Sequence, residues 1–193
     1  MSKTITQLTE TTTLKTYDVI HLVDIDNAQD KKIKFANVWS SKPYAESYIT
    51  GNTTDTVISV ATTYYPITNA AAWVTLPGML NKFTHNNVTG GLTYTGTEPL
   101  VIRPMAQVTV ASVSAATDVL VGIGIYVDGS LIDGTTAHSV VGGNTAAPPG
   151  YRNIATMGLY TILTGEGIDV RITNETDTTN LEILDYKLSI STI

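Results

Sequence analysis

The chain has 193 residues, of which 42% are hydrophobic and 15% charged, and its formal net charge is −6. This composition provides a core for one substantial domain and excludes the clustered positive charge that nucleic-acid binding requires. The sequence contains no cysteine, which excludes a disulfide framework and a thiolate metal site, and no apolar run approaches the roughly 20 residues of a membrane span.

The first segment with a structural pattern is a predicted β-hairpin. Residues 1–15 lack the apolar run of a secretory signal, so we expect synthesis in a cytoplasm. The sequences YDVIHLVDID and KKIKFANV then predict two short strands around the polar turn NAQD. A hairpin of this size is not stable alone, so its apolar positions are expected to pack on another surface. These positions are Ile20, Leu22, Ile33 and Phe35. We expect residues 1–45 to form this module and the polar residues 46–55 to form a linker.

Three acids near this turn have spacings similar to those of a calcium-binding loop. In a loop that begins at Asp24, however, the sixth position is Gln29 instead of glycine and the twelfth is Phe35 instead of glutamate. A solvated turn is the better interpretation, and we expect neither a metal nor another cofactor.

From residue 56 onward the sequence predicts a succession of short strands at regular spacing. They are VISVATTYY, NKFTH, GLTYTG, AQVTVASVS, LVGIGIYV, NIATMGLYTILTG, GIDVRIT and EILDYKLSI. The pair Asp128-Gly129 predicts a tight hairpin turn because both residues tolerate a positive φ. Seven or more strands at this spacing predict an all-β fold, a sandwich or jelly roll, over residues 56–193.

The alternation of apolar residues predicts which face of the last two strands enters the core. In GIDVRIT the aliphatic residues at 168, 170 and 172 are predicted to point inward, and Asp169 and Arg171 outward. In EILDYKLSI one face is predicted to carry Leu184, Tyr186, Leu188 and Ile190.

The strand at 120–127 has an aliphatic face and a face that carries two glycines. Val121, Ile123 and Ile125 are predicted to enter the core, while Gly122, Gly124 and Tyr126 occupy the other face. Glycine weakens a strand by about 0.5–1 kcal/mol relative to alanine, so two together need an explanation. Two explanations are open. Either another sheet, such as that of a neighbouring protomer, approaches the glycines closely, or the strand contains a β-bulge.

The order and spacing of several motifs carry a resemblance to a known type of domain. The sequences FTHNNVTGGLTYTG, AQVTVASVS, GIGIYVDGS, LTGEGIDVRITNET and YKLSI together resemble a jelly roll of the tumour-necrosis-factor and complement-globular-head type. They are most similar to the versions at the C-termini of bacteriophage virion proteins. Separately, DVIHLVDIDNAQDKKIKFANV resembles the attachment module of phage tail-fibre and spike proteins.

This resemblance implies a structural protein of a phage particle that forms a homotrimer. The protein would be a short fibre, a spike or a capsid-decoration protein on the head or the tail, made in the host cytoplasm and incorporated into the virion. Residues 1–45 would dock to other virion proteins, and a host-surface glycan is a further candidate partner; no nucleic acid or membrane insertion is expected. The resemblance favours close approach of a neighbouring subunit at Gly122, Gly124 and Tyr126.

The residue types of catalysis are present but do not form a recognisable motif. His21, His85 and His138 fall on separate predicted elements, and Ser139 points away from its neighbour His138 along a strand. We therefore expect no enzyme activity. The alternative function is a soluble carbohydrate-binding, lectin-like module, for which the ten tyrosines, Trp39 and Trp73 would provide flat faces. Tyrosines that fill sheet faces and subunit interfaces are the preferred interpretation.

Overall fold

The computed structural model of the protein describes residues 19–24, 29–34, 43–69, 73–75, 80–113, 118–142 and 150–193. The chain is divided into two compact units, Met1–Lys42 and Pro43–Ile193. No helix in the described ranges is both long enough and apolar enough to cross a membrane.

The described residues form strands and loops. The strands are β1 (Val19–Asp24), β2 (Gln29–Lys34), β3 (Tyr44–Ile49), β4 (Asp55–Thr56), β5 (Tyr65–Pro66), β6 (Leu80–Asn81), β7 (Phe83–His85), β8 (Leu92–Tyr94), β9 (Leu100–Ser112), β10 (Val119–Val127), β11 (Ser130–Leu131), β12 (Ala137–Val141), β13 (Arg152–Met157), β14 (Tyr160–Ile162), β15 (Gly167–Asn174) and β16 (Leu181–Thr192).

In the first unit, β1 and β2 form the predicted antiparallel hairpin. Ile20 is paired directly with Ile33, and Leu22 is paired with Lys31. Phe35, the fourth predicted docking residue, lies outside the described residues. The docking role of this hairpin stays a prediction.

The second unit is a sandwich of two antiparallel sheets with jelly-roll strand order. In sheet I the order is β13-β9-β16-β3-β6, with β14 beside β9 and β4 beside β16. In sheet II the order is β11-β10-β15-β8-β7, with β12 beside β10 and β5 beside β15. Chain neighbours such as β9 and β10, or β15 and β16, lie in different sheets, so the chain repeatedly crosses between the two layers. The predicted all-β jelly roll is confirmed.

Aliphatic side chains from both sheets fill the space between the layers. On β10 and β15 the predicted inward faces are confirmed, since the alternating Val and Ile residues are almost fully buried. From sheet I the core receives side chains of β9 and β16, such as Val108 and Leu188. Because β9 has 13 residues and pairs with β16 over most of its length, these two strands form the centre of sheet I.

Three predicted segments have a different structure from the expected one. Residues 46–49, predicted as part of a linker, belong to β3, which pairs with β16 along the sheet. The predicted strand 57–65 is mainly the connection from β4 in sheet I to β5 in sheet II. The predicted strand 153–165 is interrupted at 158–159, where it divides into β13 and β14.

The predicted face of the last strand is wrong at one position. The register of β16 with β9 shifts between Ile183 and Asp185, so the intervening Leu184 does not continue the face of Tyr186. Ile183 is buried in its place. The side-chain amide of Asn52 donates to the carbonyl of Ile183 at 3.0 Å, and the Asn52 backbone amide donates to that of Leu184. A buried asparagine from another segment therefore stabilises the β-bulge.

Candidate assembly surfaces

Strand β10 is regularly paired along both edges. Gly122 is opposite His138 on β12 and Thr173 on β15, and neither pairing shows a register shift near the glycines. The β-bulge explanation for Gly122 and Gly124 is therefore wrong. The strand ends in the predicted turn, where Asp128 and Gly129 both have positive φ, 45° and 83°.

The side chain that approaches the two glycines most extensively is Tyr64 of the same chain. A Cβ atom at Gly122 would lie 2.9 Å from the Tyr64 hydroxyl oxygen, and one at Gly124 would lie 3.5 Å from the edge of the same ring. His138 and Leu131 complete this surface, at 2.9 Å from the first position and 2.8 Å from the second. The glycines thus provide a flat shelf on which Tyr64 lies across the outer side of sheet II.

Hydrogen bonds and charge stabilise the region around this shelf. His138 Nε2 donates to Glu175 Oε1 at 2.9 Å, which connects β12 to the residue after β15. Burial, followed by the nearby Glu175 carboxylate, raises the pKa of Tyr64 to about 12. Thr173, paired with Gly122, is fully buried, and its hydroxyl has no hydrogen-bond partner among the described residues. Tyr64 is therefore a neutral, half-buried side chain that lies over the two glycines.

Tyr126 extends the shelf toward the turn and is covered by an ion pair. The guanidinium of Arg171 lies 4.6 Å from the centroid of the Tyr126 ring, and Arg171 Nε donates to Asp169 Oδ2 at 3.1 Å. Burial raises the pKa of Asp169, with the Arg171 charge acting in the opposite direction. Asp169 and Arg171 point outward as predicted, but they are half-buried against Tyr126 instead of extending freely into solvent.

All three residues of the predicted interface, Gly122, Gly124 and Tyr126, are buried within the single chain. The close approach inferred from the sequence is present, and the approaching groups come from the same chain. The sequence offered no local signal for Tyr64, which lies 58 positions before Gly122 and falls in a segment predicted to be a strand. A subunit contact at these three residues stays a prediction.

The outer side of sheet I has the opposite character, because it is shallowly concave and open. Lys187 Nζ forms an ion pair with Glu46 Oε2 at 2.8 Å, and only 9% of the Glu46 side chain is exposed. Two depressions of about 520 and 470 Å³ adjoin this pair, and both are lined by Gln107 and Lys187. The first depression extends to Met105 and Met157. The second extends in the opposite direction along the strands, away from these two methionines.

The histidines of the second unit are engaged in structural contacts. His85 Nε2 on β7 shares a 2.9 Å hydrogen bond with the Ser47 hydroxyl on β3, which joins the two sheets at one edge. Burial lowers the pKa of His85. Within the described ranges, no three His, Asp or Glu side chains converge in a way that could hold a metal ion.

The aromatic side chains do not form an exposed platform in the described part of the chain. Trp73 is buried, with Nε1 donating to the carbonyl of Val88 and the ring edge against Tyr186 at 4.6 Å. Each of the nine described tyrosines is buried or half-buried. Trp39 lies outside the described residues. The tyrosines therefore pack against sheet faces, as the preferred interpretation expected.

Fold and geometry together define a jelly-roll β-sandwich joined in sequence to a β-hairpin unit. No protein-family model matches the chain, and no curated protein matches it. Among the solved structures that match is that of Eiger TNF from S. frugiperda, with 10% sequence identity and a TM-score of 0.44. The match covers 78% of this chain and 93% of that one. At this level of similarity we infer nothing about function from it.

Proposed function

We propose that this chain is a structural protein of a bacteriophage particle: a short trimeric fibre, a spike or a capsid-decoration protein. Residues before the jelly roll dock it to other virion proteins, and the jelly roll is displayed, with host-surface adhesion as a further role. The protein is made in the host cytoplasm and becomes part of the virion. In this proposal it has no catalytic activity and needs no cofactor.

The observation that carries the proposal is the contrast between the two compact units. Residues 1–42 contain 6 Lys and Arg against 5 Asp and Glu, a net charge of +1, whereas residues 43–193 contain 5 against 12, a net charge of −7. The first unit contains a two-stranded hairpin, which needs an external surface for stability. The second is a complete sandwich with its own core. A small, lysine-bearing hairpin joined in sequence to a self-sufficient acidic domain supports a division into an attachment element and a displayed domain.

The lectin-like alternative has weaker support. Sugar-binding surfaces commonly present an accessible aromatic face, and the described tyrosines and Trp73 are packed against the protein. Binding of the purified chain to a glycan array, with no incorporation into particles, would favour the lectin and contradict the virion proposal.

The experiment measures incorporation of the full chain into particles of a phage that encodes it. Replacement of the paired residues in the variant Ile20→Asp/Ile33→Asp places two like charges opposite each other in the hairpin. We expect this variant to be absent from purified particles by mass spectrometry while the jelly roll keeps its circular dichroism spectrum. The control is Val88→Asp, at an exposed turn of the jelly roll, which we expect to be incorporated normally.

Two results of this experiment would contradict the proposal. One is the absence of the wild-type chain from particles. The other is incorporation of the hairpin variant at the wild-type level.

A further inference from the structure

We infer that the Tyr64 ring occupies a binding subsite for one neutral hexopyranose ring on the outer side of sheet II, and that a sugar binds there when the ring moves aside. This inference rests on the host-surface adhesion included in the proposed function and assigns a place and a ligand class to it. The subsite consists of Gly122, Gly124, the hydroxyl of Thr173 and the ring of Tyr126.

Strand pairing places Thr173 beneath the Tyr64 ring. β15 has β10 along one edge and β5 along the other. Because Tyr65 on β5 is opposite Ile172, the preceding Tyr64 is beside Thr173. Thr173 in turn is paired with Gly122 on β10. The Tyr64 ring therefore crosses Thr173 on the outer side of the sheet to reach Gly122, and Thr173 is buried although it points away from the core.

The buried hydroxyl of Thr173 has a hydrogen-bonding capacity that the chain does not use. It has no partner among the described residues, whereas the great majority of buried polar side-chain atoms in proteins have one. The Tyr64 hydroxyl does not supply it, since within the described ranges this hydroxyl forms no hydrogen bond. A ligand that carries its own hydroxyl groups would provide the missing partner when it replaces the ring.

The segment that carries Tyr64 is held weakly against the sheet. Thr62 has a φ of 65°, which is a strained conformation for a β-branched residue. Its amide donates to the carbonyl of Asn174 at 3.0 Å, and Val60 is 58% exposed. The Tyr64 ring itself is held by packing. Its displacement therefore breaks no side-chain hydrogen bond to a described residue and leaves the core between the two sheets closed.

The shape of the subsite suits a flat six-membered ring with hydroxyl groups at its edge. Because Gly122 and Gly124 have no Cβ atoms, the surface is flat where the Tyr64 ring lies, and a pyranose ring is similar to that ring in size. The Tyr126 ring lies beside it, with the two ring centroids 5.7 Å apart. An aromatic ring in this position can pack against the C–H groups of a sugar, while the Thr173 hydroxyl bonds to one of its hydroxyl groups.

The charges around the subsite favour a neutral sugar over an acidic one. Arg171 is already paired with Asp169 at 3.1 Å, and His138 with Glu175 at 2.9 Å. The second unit has a net charge of −7, so the carboxylate of an acidic sugar would be repelled. Burial and the nearby Glu175 carboxylate raise the pKa of Tyr64 to about 12, so the group that now fills the subsite is also neutral.

The test measures binding of the methyl glycosides of glucose, galactose and mannose to the purified full chain by saturation-transfer difference NMR. In the wild-type chain the apparent affinity is reduced to the fraction of molecules in which the ring is displaced. Tyr64→Ala should therefore raise the affinity for at least one of these sugars about tenfold or more. The backbone amide signals of Gly122 and Gly124 should shift on titration, in the wild-type chain as well at higher sugar concentration.

The matched control for Tyr64→Ala is Tyr48→Ala. It removes another half-buried tyrosine, which lines one of the two depressions on sheet I. This substitution should leave the affinity for the sugars unchanged. Circular dichroism spectra equal to that of the wild type show that both variants are folded.

A second substitution, Thr173→Val, separates sugar binding from stability. Valine has nearly the shape of threonine but lacks the hydroxyl. In the Tyr64→Ala background it should weaken sugar binding about tenfold, because a hydrogen bond to the ligand is lost. The melting temperature should stay equal to that of the parent variant or rise, because the chain itself loses no hydrogen bond.

Four results would overturn the inference: no binding of these sugars to the wild-type chain or to Tyr64→Ala, equal affinities of the two, unchanged binding in Thr173→Val, or loss of binding in Tyr48→Ala. Binding of p-cresol but of no sugar to Tyr64→Ala would also overturn it, because the subsite is then only the seat of an aromatic side chain. Tighter binding of the methyl glycoside of N-acetylneuraminic acid would contradict the neutral ligand. Particle incorporation through the hairpin is measured separately, so failure of this inference and failure of the docking proposal are distinguishable.

Discussion

The substitution Gly122→Val tests whether the glycine shelf exists to accommodate Tyr64. A Cβ atom at this position would lie 2.9 Å from the Tyr64 hydroxyl oxygen and 2.9 Å from the His138 ring, whereas ordinary contacts begin at 3.4 Å. Both rings must therefore retreat by about 0.5 Å for the Cβ atom alone, and further for the two methyl groups of valine. We expect this overpacking to lower the free energy of unfolding by about 1–3 kcal/mol. For a domain of this size the melting temperature should fall by about 2–12 °C.

The assay is thermal unfolding followed by circular dichroism at one protein concentration, in a double-mutant cycle with Tyr64→Ala. Tyr64→Ala removes one of the two rings that oppose the new side chain, so in this background Gly122→Val should lose part of its cost, while the cost imposed by the His138 ring remains. The matched control is Gly142→Ala, because a Cβ atom there meets only Asp118 Oδ1, at an acceptable 3.5 Å. A Gly122→Val variant with the wild-type melting temperature would contradict the inference that Tyr64 packs on Gly122. The same conclusion would follow if the substitution lowered the melting temperature equally with and without Tyr64→Ala.

Three further substitutions probe the inside of the sandwich and its polar contacts. Burial lowers the pKa of His85 in the folded chain. As the pH falls below the ordinary value of 6.5, His85 is therefore protonated in the unfolded chain before it is protonated in the folded chain. The stability of the folded chain decreases until the pH has passed the folded-state pKa. Urea unfolding should thus show a decrease in stability between pH 7.5 and 5.5 that is smaller in His85→Gln, and equal decreases would contradict this reasoning. Asn52→Asp should lower the free energy of unfolding by about 2–4 kcal/mol, because a carboxylate oxygen replaces the amide group that donates to three carbonyl groups. A change below about 0.5 kcal/mol in urea unfolding would contradict the contribution of these hydrogen bonds. Lys187→Ala should lower the free energy of unfolding by about 1–2 kcal/mol, because it leaves the buried Glu46 carboxylate without its cation. Adding Glu46→Gln to this variant should recover part of the lost stability. A double-mutant cycle without such recovery would exclude a charge effect.

The fold was largely accessible from the sequence because strand periodicity is a local signal. Alternation placed the inward faces of β10 and β15 correctly, and Asp128-Gly129 marked a turn whose positive φ values few other residue pairs adopt. The same logic failed at Leu184, because a β-bulge changes the face on which every later residue lies. The alternation around Leu184 could not reveal this bulge, because the residue that stabilises it, Asn52, lies 132 positions earlier in the sequence.

The candidate surfaces were less accessible because they depend on contacts between distant segments. Two glycines show that something approaches β10 closely, but only the folded chain shows that it is Tyr64. Exposure of Met105 and Met157 was equally hidden, since an apolar residue on a strand is normally assigned to the core. Their pairing across β9 and β13 follows from the register, which the sequence does not specify by itself.

The central position of β16 affects how the protein is made on the ribosome. β16 follows every other strand in the sequence, yet it lies between β9 and β3 in the middle of sheet I. While translation has not passed Leu181, sheet II has all its strands, but β9 has an unpaired 13-residue edge and β3 has no neighbour on that side. Such an edge can pair with any other nascent strand, which makes incomplete chains prone to aggregation. Folding of sheet I is therefore completed only after synthesis of β16.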